Sequence, residues 1–370
     1  MLKKINILGI ETSCDDTAIG IINLILDKKK IKETKILSSL VINQNKLHKK
    51  YGGIVPEIAA RAHLENIDYC MIEALKEANI KLKDIELICV TSGPGLIGGL
   101  ITGVSYAKGL SYYNSKKLIG VNHLSAHVLS PRIKNKINFP YLTLLISGGH
   151  CQFIIVKDEN SFERIGGTLD DAPGETFDKI GKVLNLGFPG GPEIEKLAKK
   201  GNPEKFNFPR PLSKINDCNM SFSGLKTAVR NKFNEMLQIE KNISIDTKKD
   251  ICASFQKSVI DILEIKTKIA MQIFEKKYKK EKKVLSIVGG VAANYQIRKV
   301  FDKLCNEKNF KFYVPPAEIC TDNGVMIAYA GAEKYLSNNE NLNDLNPRAR
   351  WPLDVLAPPL LGYGKKGIKS

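Results

Sequence analysis

Tryptophan occurs once and histidine only five times in 370 residues, and the eight cysteines nowhere form a Cys-x-x-Cys pair. Cysteines scattered in this way (Cys14, Cys70, Cys89, Cys151, Cys218, Cys252, Cys305 and Cys320) exclude a zinc ribbon and a disulfide framework, and point to a reducing cytoplasm. A membrane span is also missing. Residues 87–107 carry no charge, but Pro94 and Gly93, Gly95, Gly98, Gly99 and Gly103 divide them into strand, turn and helix. The N-terminal Lys3 and Lys4 precede an apolar stretch too short for a signal peptide. Acidic residues are in the minority, 39 against 56 Lys and Arg, leaving a formal net charge of +17. That balance suits a polyanion such as nucleic acid, yet only 8 of the basic residues are arginine, as an A+T-rich coding sequence would produce without selection for binding. Lysine runs such as 276–283 read as solvated helix ends. The 43% apolar content is enough for a large core and, at this length, for two lobes.

Apolar patterning gives strands over residues 5–10, 19–26 and 36–42, and a helix over 56–78 with Leu64, Ile67, Met71, Leu75 and Ala78 on its buried stripe. A strand at 85–91, a helix at 97–112 and a strand at 118–121 follow. The same order then restarts, with strands at 141–146, 152–157 and 162–166, helices at 174–184 and 247–278, a strand at 284–288, a helix at 294–308 and a strand at 310–314. Residues 189–246 read as an irregular insertion, and a last helix covers 323–336. The expected division is lobe I from 1–130 plus 322–345, lobe II from 131–321, and a surface tail from 346–370.

Three of the five histidines, His123, His127 and His150, fall in one region. His123 and His127 are four apart, so on a helix their imidazoles stack on one face and can close on a cation; as a bare pair they could equally be core or surface histidines. Leu124 stands where a zincin protease needs its glutamate, so a metal here would serve another chemistry. Each half opens with a strand running into a small-residue turn, residues 11–17 (Glu-Thr-Ser-Cys-Asp-Asp-Thr) and 147–150 (Ser-Gly-Gly-His). Either could be an ordinary β-turn; as an equivalent pair they suit phosphate-binding hairpins facing each other across a nucleotide cleft, the actin, hexokinase and Hsp70 (ASKHA) arrangement. Gly289 and Gly290 let a ligand approach the backbone, while Asn294 caps a helix or meets a ribose or base. Asp322 either caps the last helix or completes a two-histidine, one-carboxylate site with open positions, suited to Fe(II) or Zn(II).

These motifs, with Tyr-Gly-Gly-Ile-Val-Pro-Glu at 51–57, Asp170-Asp171, Pro-Gly-Gly-Pro at 189–192, Ser-Phe-Ser-Gly-Leu-Lys-Thr at 221–227 and Arg-Trp-Pro-Leu at 350–353, resemble the bacterial tRNA N6-adenosine threonylcarbamoyltransferases (TsaD) from about residue 5 to 353. The resemblance implies transfer of threonylcarbamoyl from its adenylate to N6 of adenosine 37, 3′ of the anticodon, in tRNAs reading codons that begin with A. It implies one divalent metal, Fe(II) favoured over Zn(II), on His123, His127 and Asp322. The ligand site would comprise Leu145, Ile146, Ser147, Gly148, Gly149, Asp178, Gly191 and Asn294, holding threonylcarbamoyl-AMP or an ATP or AMP analogue. The catalytic group is left open, with Glu11 and Asp15 as candidates. Implied partners are tRNA, a TsaB-like paralogous subunit and a TsaE-like ATPase, in the cytoplasm and away from membranes. Cys151 replaces the threonine usual after the second turn, Ser125 stands where many relatives are acidic, and Pro173 occupies a helix start.

Competing readings are a sugar kinase or chaperone ATPase of the same fold, an O-carbamoyltransferase using a carbamoyl adenylate, and a non-catalytic subunit resembling TsaB. The first would not need the two histidines with Asp322. The second usually carries extra domains, and the third lacks the histidines.

Overall fold

The structure is a computed structural model that describes residues 2–239, 242–337 and 345–360. The first half runs β1 (Leu2–Glu11), β2 (Asp16–Asp27), β3 (Lys30–Asn43), α1 (Asn45–His48), α2 (Pro56–Glu77), β4 (Leu87–Gly93), α3 (Ile97–Asn114), β5 (Lys117–Asn122) and α4 (His123–Leu129). The second runs β6 (Tyr141–Ile146), β7 (Cys151–Val156), β8 (Phe162–Gly167), α5 (Pro173–Val183), α6 (Gly190–Ala198), α7 (Ser223–Ile239), α8 (Ile245–Lys277), β9 (Val284–Val288), α9 (Tyr295–Lys308), β10 (Lys311–Tyr313), α10 (Ala317–Cys320) and α11 (Gly324–Leu336).

The strands form two five-stranded sheets, ordered β3-β2-β1-β4-β5 and β10-β9-β6-β7-β8. Read from the opposite edge, the second order repeats the first. In each, the opening strand pairs antiparallel with the next and parallel with the strand that follows a helix: β1 with β2 and β4, β6 with β7 and β9. The duplicated α/β plan expected from the patterning is therefore present, and the turns after β1 and β6 occupy equivalent places.

One core joins the first sheet to α2 and α3 through Leu8, Ile10, Ile67, Met71 and Val104. Another buries the second sheet under α5 to α9, with Leu144, Phe153, Phe255 and Phe301 fully enclosed. A third lies between the sheets and holds α4 and α11, bringing Ile7 and Val121 together with Leu145 and Ile154 through Leu124, Val128, Met326 and Ala330.

Two local expectations need correction. Leu64 is 69% exposed, because the buried face of α2 follows Ala59, His63, Ile67 and Cys70, and Leu64 lies a third of a turn beyond it. The stretch expected to be an irregular insertion contains α6 and α7; the i,i+4 series Leu225, Val229 and Phe233 carries α7 into the second core. Asp170 organises the start of α7, accepting from the Phe222 and Ser223 amides at 2.8 and 3.2 Å and from the Ser221 and Ser223 hydroxyls at 2.5 Å each. Residues 338–344 of the returning segment and 361–370 of the expected tail lie outside the described residues. Among the described residues, no helix is long and apolar enough to cross a membrane.

Candidate metal centre and cleft

Strand β5 runs directly into α4, so the helix starts at His123. Asn122 caps it, its Oδ1 accepting from the Leu124 and Ser125 amides at 2.9 and 3.2 Å. One turn apart on this short helix, the His123 and His127 rings meet edge to face, with centroids 4.7 Å apart and planes at 88°. Asp322 comes from the loop before α11, and a close backbone approach brings it here. A Cβ on Gly324 would stand 2.0 Å from the Gly20 nitrogen, and one on Gly9 would stand 2.0 Å from the Gly324 oxygen. Three glycines thus seat the N-terminus of α11 directly on β1 and β2. Asn323, not Asp322, caps α11, accepting from the Met326 amide at 2.9 Å, which leaves the Asp322 carboxylate free of that task.

The His127 Nε2 lies 3.1 Å and the His123 Nε2 3.5 Å from the same Asp322 Oδ1, and one donor atom from each of the three residues lies within 4.8 Å of the others. On its far side the His123 Nδ1–H donates to Glu11 Oε2 at 2.8 Å. Glu11 is itself held by the Thr91 hydroxyl at 2.6 Å and the Ser13 amide at 2.5 Å, and is fully buried. A carboxylate behind an imidazole fixes the tautomer that leaves Nε2 free to bind.

The electrostatics fit a cation. Burial disfavours charge on Asp322, but the imidazoles of His123 and His127 hold its carboxyl well below the usual range. Burial likewise opposes charge on His123, yet Asp322 and Glu11 push its pKa up to about 9. Next to them, burial followed by Asp322, Asp15 and Glu11 pushes Asp16 up to about 8. Asp15 is raised for the same reasons, burial first and Asp322 second. Among the described residues no lysine or arginine pairs with these four carboxylates; Glu11 pairs with His123, and Asp322 with both histidines. Two imidazoles and one carboxylate converge on a single point there, a mixed nitrogen and oxygen donor set that suits a divalent ion. Glu11→Gln should keep the packing and weaken metal affinity by roughly 10- to 100-fold, the cost typical of losing such an outer partner. Chelator competition measures it, and unchanged affinity in the folded variant would remove Glu11 from this role.

Across the cleft, Leu145 and Ile146 end β6 with fully buried side chains, so a ligand there meets backbone. Ser147, Gly148 and Gly149 form the turn, closed by the Ser147 amide on the His150 oxygen at 2.8 Å. The start of α5 docks beneath it, the Glu175 amide donating to the Gly148 oxygen at 3.0 Å. A Cβ on Gly148 or Gly149 would meet nothing within 4 Å, so protein packing does not demand glycine there, whereas a closely approaching ligand would. Asp178 Oδ1 accepts from the Gly190 amide at 2.8 Å, beside Gly191 at the start of α6. Asn294 caps α9 through its oxygen on the Ile297 amide at 3.1 Å and donates to Gln256 at 2.8 Å, so both ends of its amide are engaged within the protein. Burial raises Asp178, the Gly190 and Gly191 amides oppose it, and the charge of Asp15 in the other half adds a smaller push upward.

The departures from the family pattern have local explanations. Cys151 is buried with its sulfur 3.8 Å from Met220, turned into the core. The Ser125 hydroxyl donates back to the Asn122 carbonyl at 2.7 Å. Pro173 occupies the first turn of α5, where an amide has no intrahelical partner. The sequence reading missed the supporting Ser13, Thr91 and Asn122. Only Asn122, set immediately before the histidine helix, carried a readable signal, that of a cap.

A duplicated α/β fold, with equivalent turns on its central strands and a two-histidine, one-carboxylate cluster between its halves, defines an actin- or hexokinase-like protein with a candidate metal site. The chain belongs to the TsaD family, tRNA N6-adenosine threonylcarbamoyltransferase, whose pattern it matches over residues 35–329. It is a transferase by that membership. The protein of that name from Ruegeria sp. (strain TM1040) is 47% identical over 370 residues, all of both chains, and the one from Ruegeria pomeroyi is 46% identical over the same span. Among solved structures, full-length HypF in its phosphate- and nucleotide-bound form superposes with a TM-score of 0.54 at 14% identity, over 90% of this chain and 56% of that one, a likeness of fold.

Proposed function

We propose that this chain takes threonylcarbamoyl from threonylcarbamoyl-AMP and places it on N6 of adenosine 37 of tRNAs that read codons beginning with A. The observation that carries the reading is the convergence of His123, His127 and Asp322 within 4.8 Å, between the two equivalent turns. Those three residues would hold one divalent ion; the mixed imidazole and carboxylate donors suit Fe(II) or Zn(II), and the family resemblance favours Fe(II). Bound there, the ion supplies Lewis acidity toward a substrate oxygen.

The remaining work belongs to the chain. The open turn would offer the Gly148 and Gly149 amides to the adenylate phosphate, the Ser147 amide being used to close the turn, with Leu145 and Ile146 presenting main chain beneath it. Asp178, close to Gly191, would accept from a ribose hydroxyl, and Asn294 would act on the ligand site through the start of α9, which it caps. An exocyclic adenine amine is a poor nucleophile because its lone pair is delocalised, so orientation against the carbamoyl carbon matters as much as activation. The anticodon loop is single-stranded, so its adenine enters without breaking a duplex. Of the two catalytic candidates, Glu11 is enclosed behind His123, whereas Asp15 stands half-buried at the turn, so the reading gives the N6 proton to Asp15. A TsaB-like subunit and a TsaE-like ATPase complete the assembly in the cytoplasm.

The deciding experiment supplies preformed threonylcarbamoyl-AMP or carbamoyl-AMP to the protein, its partner subunits and unmodified tRNA. Mass spectrometry of digested tRNA should show threonylcarbamoyladenosine from the first donor only. Carbamoyl transfer to a small hydroxyl acceptor without tRNA would replace this reading by the O-carbamoyltransferase one.

A further inference from the structure

The chain returns to the metal centre after its last helix. Residues 345–360 form no helix, yet they are anchored on both sheets. At the first, the Arg348 amide donates to the Ser92 carbonyl at 2.7 Å and the Gly95 amide to the Ala349 carbonyl at 3.3 Å. The fit is tight: a Cβ on Gly93, whose φ is +146°, would stand 2.2 Å from the Arg348 oxygen. At the second, Asp354 accepts from the Arg164 amide at 2.9 Å, the Arg164 guanidinium reaches the Pro358 carbonyl, and Leu360 is buried against Gly167. Between the anchors the Arg348 guanidinium lies over the Trp351 ring at 5.0 Å, and the Trp351 carbonyl accepts from Asn122 Nδ2 at 3.0 Å.

That last bond bears on the histidines. Asn122 is 8% exposed, and the two ends of its amide have different partners: the oxygen faces two helix amides, the nitrogen the Trp351 carbonyl. Turned by half a rotation, the amide would present its NH2 to two N–H donors, and α4 would lose its cap. The tail carbonyl therefore selects the orientation in which the helix is capped, and that helix begins at His123.

We propose that residues 348–351 form a positioning strap for the metal-binding helix, acting through Asn122 to hold His123 and His127 in register with Asp322. The inference rests on the metal reading of those three residues. It gives the Arg-Trp-Pro-Leu motif a role in the first half of the fold, far from it in sequence. Asn122 is a positioning residue, since it touches neither substrate nor the donor atoms.

The test uses the full chain, stripped of metal, and Co(II) alone as the probe. Affinity is read by chelator competition and ligand geometry by the visible d–d absorption. Asn122→Asp keeps an oxygen to cap α4 but cannot donate to Trp351; Arg348→Pro removes the amide that anchors the strap on Ser92 and leaves α4 untouched. Each should weaken Co(II) binding at least tenfold and alter the absorption band, with circular dichroism unchanged. The double variant should be no worse than the weaker-binding single, because both changes act through one contact. Wild-type affinity and spectrum in both folded variants would overturn the strap while leaving the metal site intact. Failure of the wild type to bind Co(II) more tightly than His127→Ala would overturn the metal reading and the strap with it.

Discussion

Replacing His123 and His127 together by alanine should reduce threonylcarbamoyl transfer to tRNA by at least ~10²-fold, on the order of 3 kcal/mol of lost transition-state stabilisation, with the fold retained. The size follows from where the imidazoles stand. Both Nε2 atoms face a single Asp322 oxygen, at 3.5 and 3.1 Å, in a setting with more carboxylates than cations. Their removal takes away two of the three proposed ligands and leaves Asp322 without the groups that keep it ionised. Two alanines in a mostly buried helix also leave small voids, so the measurement pairs steady-state transfer from preformed adenylate with elemental analysis and thermal unfolding. Loss of bound metal and of turnover in a folded protein is the expected result. A folded double variant that turns over at the wild-type rate would make the histidines structural.

Gly324→Ala should have the next largest effect, and it acts on stability and the site at once. The added methyl would meet backbone on three sides: the Gly20 nitrogen at 2.0 Å, the Ile19 carbonyl carbon at 2.5 Å and the Gly9 oxygen at 2.6 Å. None is the flexible end of a side chain, so α11 must move off β1 and β2. The cost should reach the upper end of the range for overpacking, about 3 kcal/mol. Asp322, two residues earlier, moves with the helix, so metal affinity should fall in parallel. Urea unfolding with and without metal separates the two effects. Gly148→Ala is the control for stability: its methyl meets open space, and unfolding free energy should stay within about 0.5 kcal/mol of wild type. Equal stability of the Gly324 and Gly148 variants would show that close seating of α11 is not what places Asp322.

The same residues show where local reading succeeds and where it stops. The His123–His127 spacing is a property of four consecutive residues, so helix geometry alone puts both rings on one face. Strand alternation and the small-residue turns are local as well, and their repetition in order exposed the duplicated fold. By contrast, α7 escapes local reading because Gly224 in its first turn and the polar residues around it obscure a periodicity carried by Leu225, Val229 and Phe233.

By itself, then, the sequence determined the α/β duplication, the histidine pair, the two turns and the family to which the chain belongs. It also narrowed Asp322 to cap or ligand. Tertiary structure alone gave the cap to Asn323 and brought Asp322 to the histidines, through a backbone contact that three glycines from distant strands and a distant helix admit. It alone placed Glu11 behind His123, 112 residues away along the chain, and Trp351 against Asn122, 229 residues away. Contacts of such separation leave no trace in local periodicity: they depend on how packed elements cross, and each partner taken alone looks like an ordinary strand end, turn or tail.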